Sequence, residues 1–396
     1  MKSTMHAGQG PHFLQIPGPS NVPKRVLQAL SEPTIDHRSQ QFADLAIDCI
    51  TATKKVFQSE QDLVIYPGSG TGAWEAALVN LCDPGDRLLM AETGHFASLW
   101  WDLAERLGYK AELIKTDWRR GAPAEELAKS LEADKEHAIK AVCVVHNETS
   151  TGSVSNISAV RRVLDELGHP ALLLVDTISS LGSIDYRHDA WGVDVTISGS
   201  QKGLMLPPGL SFNMISPKAL AACQERKRPV SYWDWQAQLK MSQDGFFPYT
   251  PATNMLYALR EAVDMLLEEG LENVFSRHKR HGEATRRAVR AWGLETQCQT
   301  EEYSSSLTAV RVPEGASADK VREVVLRDFN MSLGNGLARL KDQVFRIGHL
   351  GDFNDLMLMG VLSGVEMGLK RADIGTQSGG CDAAMAYLNE AAVGSS

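Results

Sequence analysis

The amino-acid sequence predicts an α/β protein: a large domain with a mixed, mostly parallel sheet, followed by a smaller α+β domain. As far as about Ser216, short apolar segments alternate with longer amphipathic ones, which is typical of strand–helix–strand units. Two apolar segments, Ala141–Val145 and Ala171–Val175, are continuous, as strands buried on both faces of a parallel sheet require. The chain has 396 residues, which is more than one compact core holds, so two domains are expected.

The first part of the chain contains the elements of the large domain. The predicted strands are Leu63–Tyr66, Leu88–Ala91, Ala141–Val145, Ala171–Asp176, Val193–Ser198 and Leu210–Ile215. The predicted helices between them are Gly72–Leu81, Phe96–Leu107, Ala124–Leu131 and Ile157–Gly168. An aromatic, irregular segment follows at Tyr232–Trp235.

The later part of the chain predicts the smaller domain. A long helical pattern runs from about Thr253 to Trp292 and is interrupted at Gly270. The pattern then predicts strands and helices at Leu307–Val312, Ala318–Phe329, Val344–Ile347 and Asp355–Leu369, with a fraying helix and a small-residue tail from Ala384. We therefore divide the chain into an N-terminal arm (1–25), a large domain (26–275) and a small domain (276–396). Three prolines in Pro17–Pro23 make this part of the arm a rigid extended loop.

Composition and charge exclude several classes of protein. The 43% hydrophobic and 22% charged content is ordinary for a globular protein. The formal net charge is −9 without a long basic run, so no basic face for nucleic acid is expected. Residues 1–10 lack the apolar core of a signal peptide, and no apolar run approaches the about 18 residues of a membrane span. The six cysteines form no C-x-x-C pair and are expected to be reduced. We expect a cytoplasmic enzyme that binds neither membrane nor metal.

A glycine-rich segment, Tyr66–Ala73, follows a predicted strand and opens a helix. Small residues at a helix N-terminus let backbone N–H groups approach an anion, and Ser69 and Thr71 add hydroxyl donors. A turn without a ligand remains an alternative. A second alternative is a dinucleotide site, because Gly68-x-Gly70-x-x-Ala73 fits that fingerprint and Glu92 follows at a suitable distance.

Two further strand ends carry residues that suit catalysis. Asp176 ends the apolar run Ala171–Val175, at the edge where open α/β sheets bind ligands, although a strand-end aspartate is also a common turn former. Lys202 follows the next strand in the segment Ser198–Gly203. Burial would lower the pKa of its amine and make it a nucleophile towards carbonyls, whereas an isolated lysine is usually a surface residue.

The three features together match the requirements of pyridoxal phosphate: an anion cup, an acid for the ring nitrogen and a lysine for the Schiff base. In their order and spacing, the sequence resembles the class V aminotransferases over nearly the whole chain, and among them the glyoxylate aminotransferases that use serine, aspartate or alanine. The matching stretches are Pro17–Asn21, Gly68–Gly72, His146–Gly152, Val175–Asp176, Ser198–Gly203 and Phe345–Gly351. The resemblance implies fold type I, with a seven-stranded type of sheet, and a homodimer whose active sites lie at the subunit interface.

The resemblance also implies roles for individual residues. Lys202 would hold the cofactor and move the α-proton, and Asp176 would keep the ring nitrogen protonated. The phosphate would be held by Ser69, Gly70, Thr71 and Gln201, and by Thr250 from the partner subunit. Thr149 would lie near the ring oxygen, and the two faces of the ring would contact Ile178 and Phe96. The alternative for Phe96 is a core residue at a helix start.

Substrate contacts follow from the same resemblance. Arg346 would bind the α-carboxylate, because a guanidinium matches a carboxylate with two parallel donors; a structural salt bridge is its alternative. Ser20 and Asn21 would lie over the site, and His37 would contact the side chain of the amino donor. Phe247 stands where alanine-specific relatives have a tyrosine, so a hydrogen bond from the neighbouring chain is in doubt.

His278 and His281 lie at helical spacing among basic residues and are expected on a solvated helix face rather than in a metal site. The function implied is transamination from a small L-amino acid to glyoxylate, with L-serine first, then L-aspartate and L-alanine. A cysteine desulfurase-like lyase is an alternative, although Gln201 replaces the usual histidine and no cysteine lies between Cys298 and Cys381. A nicotinamide dehydrogenase and a catalytically inactive protein of the same fold are further alternatives.

Overall fold

The computed structural model of the protein describes residues 11–299 and 302–393, the last three of these by their backbone alone. The predictions for residues 1–10 and for the end of the C-terminal tail, residues 394–396, lie outside the described residues.

Strands and helices alternate along most of the chain and are numbered here in chain order. The strands are β1 (Phe13–Gln15), β2 (Asp62–Gly68), β3 (Arg87–Glu92), β4 (Lys110–Lys115), β5 (Ile139–Val145), β6 (Asn147–Glu148), β7 (Ser153–Val154), β8 (Leu172–Asp176), β9 (Val195–Gly199), β10 (Gly209–Ile215), β11 (Glu295–Thr296), β12 (Leu307–Arg311), β13 (Met331–Asn335) and β14 (Val344–Gly348). The helices are α1 (Lys24–Leu30), α2 (Gln40–Val56), α3 (Gly70–Leu81), α4 (His95–Arg106), α5 (Ala124–Ala133), α6 (Ile157–Glu166), α7 (Pro217–Glu225), α8 (Trp235–Ser242), α9 (Thr253–Glu269), α10 (Leu271–Ala291), α11 (Ala318–Phe329), α12 (Asp355–Arg371) and α13 (Gly380–Val393).

The larger sheet has seven strands in the order β2-β10-β9-β8-β5-β3-β4. The five strands β9, β8, β5, β3 and β4 are parallel to one another. Strand β10 is antiparallel to both β2 and β9. This is the mixed, mostly parallel sheet that the sequence predicts, and the predicted fold class is confirmed. The strands predicted in the first part of the chain all lie in this sheet, with bounds that differ by one or two residues.

Helices cover both faces of the larger sheet. On one face, α2, α6 and α9 contribute Phe42, Val160 and Leu259 to a buried apolar cluster. On the other face, α3 and α4 contribute Trp74 and Trp100 to a second cluster. The loops after the parallel strands meet at one edge of the sheet because these strands share a direction. Since helices cover both faces, this edge remains open, and it is where α/β proteins bind ligands.

The smaller sheet has the order β1-β13-β14-β12-β11 and includes the start of the described chain. Phe13 of β1 lies opposite Met331 of β13, and the two strands are parallel. The predicted extended arm therefore contains an edge strand, and α1 begins near its end. Helices α10 to α13 pack on this sheet through a third apolar cluster, to which Ala288, Val325 and Leu362 belong.

Several elements have no prediction from the sequence: β1, β4, β6, β7, β11, β13, α1, α2, α7 and α8. Strand β4 is the edge strand of the larger sheet, and charged residues alternate with apolar ones along it. Helix α2 contains β-branched residues (Ile47, Ile50, Thr51 and Thr53), which have low helix propensity. Its stability comes instead from the buried face that it packs against α9.

The prediction that His278 and His281 lie on a solvated helix face is wrong. Both side chains are fully buried. The Nε2 atom of His278 accepts a hydrogen bond from the N–H of Gly351 at 3.1 Å, and its Nδ1 lies 2.7 Å from the carbonyl oxygen of Val274. His281 Nε2 lies 2.8 Å from a carboxylate oxygen of Asp355. The basic neighbours in sequence misled the prediction because adjacent side chains point to different faces of a helix.

No helix in the described part of the chain is both long and apolar enough to cross a lipid bilayer. Within the same residues no disulfide bond joins the cysteines, and all of them except the half-buried Cys381 are buried.

Candidate active site

Four of the predicted site residues lie at the same edge of the larger sheet. Ser69 follows β2, Asp176 ends β8, Lys202 follows β9, and Thr149 follows β5 after the short strand β6. The carboxyl ends of β5, β8 and β9 point to this edge because these strands are neighbours and parallel. The fold therefore brings to one edge residues that are far apart in the sequence.

Asp176 is a buried carboxylate held by two neutral donors. Its Oδ1 accepts the backbone N–H of Ile178 at 2.6 Å, and its Oδ2 accepts the indole N–H of Trp74 at 2.9 Å. Burial raises the pKa of the carboxyl to about 7, although both hydrogen bonds oppose that rise. Within the described residues Asp176 forms no ion pair, so its charge is available to a cationic group in the site.

Lys202 is also buried, with 8% of its surface exposed. Its amine donates a hydrogen bond to the backbone carbonyl of Pro17. Burial, with a smaller contribution from the charge of Arg346, lowers the pKa of the amine to about 7. A large fraction of the amine is therefore neutral at neutral pH, and a neutral amine can attack a carbonyl.

The N-terminal loop lies directly over the lysine. Ser20 donates its backbone N–H to the carbonyl of Gln201 and its hydroxyl to the carbonyl of Lys202, both at 2.9 Å. A Cβ atom on Gly18 would overlap the Lys202 side chain, and the φ of Gly18 is +90°, so only glycine fits there. The sequence places Ser20 over the site; in the structure its hydroxyl positions the lysine backbone.

The glycine-rich segment forms the N-terminus of α3. Ser69 is the N-cap residue, and its hydroxyl makes no capping hydrogen bond. The hydroxyls of Ser69 and Thr71 have no hydrogen-bond partner among the described residues, and both residues are exposed. The first backbone N–H groups of a helix have no partner within it, so this N-terminus offers unpaired donors together with the positive end of the helix dipole. Such a group of donors binds a phosphate.

Gly70 and Ile178 are in close contact. A Cβ atom on Gly70 would overlap the Cδ1 of Ile178. The isoleucine side chain is half-buried and packs on the same apolar cluster as Phe96. Phe96 begins α4 after β3 and is also half-buried. The two apolar residues predicted for the faces of the ring thus belong to one side of the sheet.

Glu148 organises the start of α4, a role that the sequence does not reveal. Its carboxylate is fully buried and accepts the N–H groups of Phe96 at 3.4 Å and Ala97 at 3.1 Å. It also accepts the hydroxyl of Ser150 at 2.7 Å. The carboxylate compensates the partial positive charge of the helix N-terminus and fixes the backbone that carries Phe96.

Arg346 lies in β14 of the smaller sheet and reaches the loop after β5. Its Nη1 donates to the backbone carbonyl of Thr149 at 2.9 Å, and its Nε donates to the carbonyl of Asn335 at 2.8 Å. The side chain forms no ion pair with a carboxylate of the described residues, so the salt bridge left open as an alternative is absent from that part of the chain. The Thr149 hydroxyl donates to Ser179 at 2.8 Å.

Other predicted site residues have no described contact with the lysine or the aspartate. Asn21 donates its amide to the carbonyl of Leu14 at 3.1 Å. His37 precedes α2 and is half-buried, and Thr250 is exposed. Phe247 packs edge-on against Phe42, with ring centroids 6.1 Å apart, on the apolar cluster of its own chain.

The residues present fit pyridoxal phosphate. The donors at the start of α3 suit its phosphate, the buried carboxylate of Asp176 suits a protonated pyridine nitrogen, and the neutral amine of Lys202 suits its aldehyde. The close approach of Gly70 to Ile178 leaves no room for a side chain at the base of this cradle. The dinucleotide alternative is wrong, because β2 is an edge strand with only an antiparallel neighbour, whereas that fingerprint follows a central parallel strand.

Fold and site together fit the class of transferases that use pyridoxal phosphate. The model of the aminotransferase class V family matches residues 12–338. The chain belongs to this family and is an aminotransferase.

The relatives cover nearly the whole chain. Serine–glyoxylate aminotransferase of Methylorubrum extorquens is 47% identical over 390 residues, which are 96% of this chain and 97% of the relative. L-aspartate–glyoxylate aminotransferase of Paracoccus denitrificans is 43% identical over 93% of this chain and 92% of the relative. The crystal structure of alanine–glyoxylate aminotransferase from Nostoc sp. matches with a TM-score of 0.86 and 32% identity, over 92% of this chain and 97% of that chain.

Proposed function

We propose that this aminotransferase uses pyridoxal phosphate to transfer the amino group of L-serine to glyoxylate, which gives hydroxypyruvate and glycine. The observation that carries the proposal is the full-length similarity to serine–glyoxylate aminotransferases at 43–47% identity. The geometry of Lys202, Asp176 and Arg346 supplies the groups that such a reaction needs.

Lys202 and Asp176 would carry the chemistry. The cofactor, when bound, supplies an aldehyde that takes up the amino group and a ring that accepts an electron pair. The neutral amine of Lys202 would hold the cofactor through its aldehyde and would move the proton at the substrate α-carbon. Ionised Asp176 would hold a proton on the ring nitrogen, which would keep the ring an electron acceptor. Its buried position excludes water, which strengthens this interaction.

The remaining residues would bind and orient. Ser69, Gly70, Thr71 and Gln201 would hold the phosphate, Thr149 would lie near the ring oxygen, and Phe96 and Ile178 would fix the ring plane. Arg346 would take the α-carboxylate of the amino donor and, in the second half of the reaction, that of glyoxylate. Because one guanidinium serves both carboxylates, the two substrates would bind one after the other at the same place.

The amino donor is the finer part of the proposal. L-Aspartate is the second candidate, supported by the relative from Paracoccus denitrificans, and L-alanine is the third, supported by the structure from Nostoc sp.. Ser20, Asn21 and His37 belong to the segments that would contact the donor. Ser20 is the one whose position beside Lys202 supports this role.

We further propose a cytoplasmic homodimer with shared active sites. Thr250 is exposed and has no described partner in its own chain, as expected of a residue that reaches the phosphate of a second copy. Leu27 and Ile47 are 49% and 42% exposed on helices that both pack against α9, so these helices offer apolar side chains for a subunit contact. The cysteines without a disulfide suit a reducing compartment.

A donor panel tests the proposal. Purified holoenzyme is assayed with L-serine, L-aspartate and L-alanine against glyoxylate, and kcat/KM is compared. We expect L-serine to give the highest value. A higher value for L-aspartate or L-alanine would replace the donor but keep the class of reaction. Sulfur release from L-cysteine without transamination would favour the desulfurase alternative, and turnover of no donor would refute the proposed function.

A further inference from the structure

Trp74 connects the proposed phosphate site to the proposed ring-nitrogen acid. It lies in α3, one helical turn after Gly70, and is 2% exposed. Its indole N–H donates to the Oδ2 of Asp176 at 2.9 Å. The same helix therefore presents its N-terminal donors to one end of the cofactor cradle and its indole to the carboxylate at the other end.

The orientation of the indole is fixed by a second tryptophan. The rings of Trp74 and Trp100 are stacked, with centroids 5.7 Å apart and an interplanar angle of 11°. Both side chains belong to the apolar cluster on that face of the sheet. Because the core is closely packed, the indole cannot rotate away from Asp176 without displacing Trp100.

A neutral donor has a specific effect on a buried carboxylate. It stabilises the ionised form and leaves the negative charge in place, whereas an arginine or lysine would neutralise that charge. Asp176 has one such donor on each oxygen, the indole on Oδ2 and the Ile178 backbone on Oδ1. The backbone donor would remain in any variant, whereas the indole donor depends on the residue at position 74.

We propose that Trp74 is a positioning residue that holds the Asp176 carboxylate ionised and aimed at the ring nitrogen of the cofactor; this inference rests on the proposed function. The competing explanation is that Trp74 only fills the core. Trp100 offers a matched control, because it is equally buried and its indole N–H has no hydrogen-bond partner among the described residues.

The experiment measures cofactor affinity in wild type, Trp74→Phe and Trp100→Phe. Each protein is stripped of cofactor and titrated with pyridoxal phosphate and with its deaza analogue, in which carbon replaces the ring nitrogen. Phenylalanine keeps an aromatic ring at either position and removes the indole N–H. Thermal unfolding of each stripped protein checks that the fold is retained.

We expect Trp74→Phe to weaken the binding of pyridoxal phosphate by about tenfold or more, because the charged Asp176 carboxylate loses one hydrogen bond. Binding of the deaza analogue should change by about twofold at most, because the analogue has no nitrogen for Asp176 to contact. Trp100→Phe keeps an aromatic ring stacked on Trp74 and removes only an N–H without a partner among the described residues, so it should change neither affinity by more than about twofold. The proposal would be overturned if Trp74→Phe weakened the binding of both ligands equally, or if the two variants changed the affinity for pyridoxal phosphate equally.

A second comparison separates the lost hydrogen bond from any general effect of Trp74→Phe on the core. In an Asp176→Asn background, Trp74→Phe should add almost nothing to the loss of pyridoxal phosphate affinity, because both changes disrupt the same interaction. A full additive loss would contradict the proposed role. If the wild type binds no pyridoxal phosphate, the proposed function itself is refuted. If the wild type binds it and the Trp74 variant binds it equally well, only the role of Trp74 is refuted.

Discussion

The guanidinium of Arg346 donates a hydrogen bond to the backbone carbonyl of Thr149 at 2.9 Å and thereby joins the smaller sheet to the loop after β5. The arginine is 6% exposed and forms no direct ion pair with a carboxylate of the described residues. Burial lowers the pKa of the guanidinium to about 10, although the charge of Glu148 opposes that change. A buried cation that makes no direct ion pair is costly to keep out of water, so a substrate carboxylate that pairs with it gains binding free energy.

We expect Arg346→Lys to raise KM for both the amino donor and glyoxylate by about tenfold or more, because lysine cannot form the two parallel hydrogen bonds. Steady-state kinetics with each substrate varied in turn measures the change. Arg339→Ala is a suitable control, since exposed Arg339 also donates to a backbone carbonyl, that of Thr116. Unchanged KM values would move the carboxylate site elsewhere.

Gly70→Ala should weaken cofactor binding more than it weakens the fold. The new methyl group would overlap the end of the Ile178 side chain, which must then move into the space proposed for the cofactor ring. Titration of the stripped protein with pyridoxal phosphate should show about tenfold weaker binding. The double variant Gly70→Ala, Ile178→Val should recover part of the affinity, and a double variant no better than the single one would contradict this account.

Glu148→Ala should lower the free energy of unfolding by about 2 kcal/mol, because it leaves the N–H groups at the start of α4 without their acceptor. Chemical denaturation measures this loss. Glu148→Gln keeps an acceptor oxygen and should lose less. The same denaturation on Glu126→Ala serves as the control, since Glu126 lies exposed on α5 and, within the described part of the chain, pairs with exposed Lys129 alone. Equal stability of Glu148→Ala and wild type would exclude the capping role.

The buried histidine His278 predicts an acid-sensitive fold. Burial lowers its pKa to about 3, whereas an unfolded histidine has a pKa of about 6.5. Between these values the unfolded chain binds a proton that the folded chain does not, so the free energy of unfolding falls as the pH decreases from about 6.5 to 3.

His278→Gln removes this titration and should reduce the slope of the free energy of unfolding against pH over that range by up to one bound proton. Other buried histidines, such as His146 and His188, keep their contribution to the slope. Denaturation at several pH values measures the change. The variant loses stability overall, because Gly351 N–H and Val274 carbonyl lose their ring partners, so the slope rather than the height is decisive. A slope in His278→Gln equal to that of wild type would contradict the prediction.

The sequence predicts most of the large sheet because its central strands are continuous apolar runs, and it predicts the order of Ser69, Asp176 and Lys202 because each follows a strand. It does not predict contacts between distant segments. The indole of Trp74 meets a carboxylate 102 residues away, and the Lys202 amine meets the carbonyl of a residue 185 positions earlier. Such pairs depend on how the loops meet after folding, and no local pattern encodes them.

The local signals also fail where a residue's neighbours in sequence are not its neighbours in space. Arg277 and Arg280 surround the buried histidines in sequence, yet Arg277 donates to the backbone carbonyls of Gly351 and Phe353, and Arg280 pairs with Asp355. These arginines bind groups of the loop region, while the imidazole of His278 between them is buried. His281 is buried as well and contacts the same Asp355 carboxylate as Arg280. Helical spacing alone does not distinguish these two faces when both carry polar residues.

We propose that Lys202 is the lysine that binds the cofactor aldehyde. Borohydride reduction of the holoenzyme, followed by proteolysis and peptide mass spectrometry, tests this assignment directly, since reduction makes the lysine–cofactor bond permanent. We expect the mass of the reduced cofactor on Lys202 and on no other lysine. A modified lysine elsewhere, such as Lys218, or a holoenzyme whose visible absorption persists after reduction with Lys202 unmodified, would contradict it.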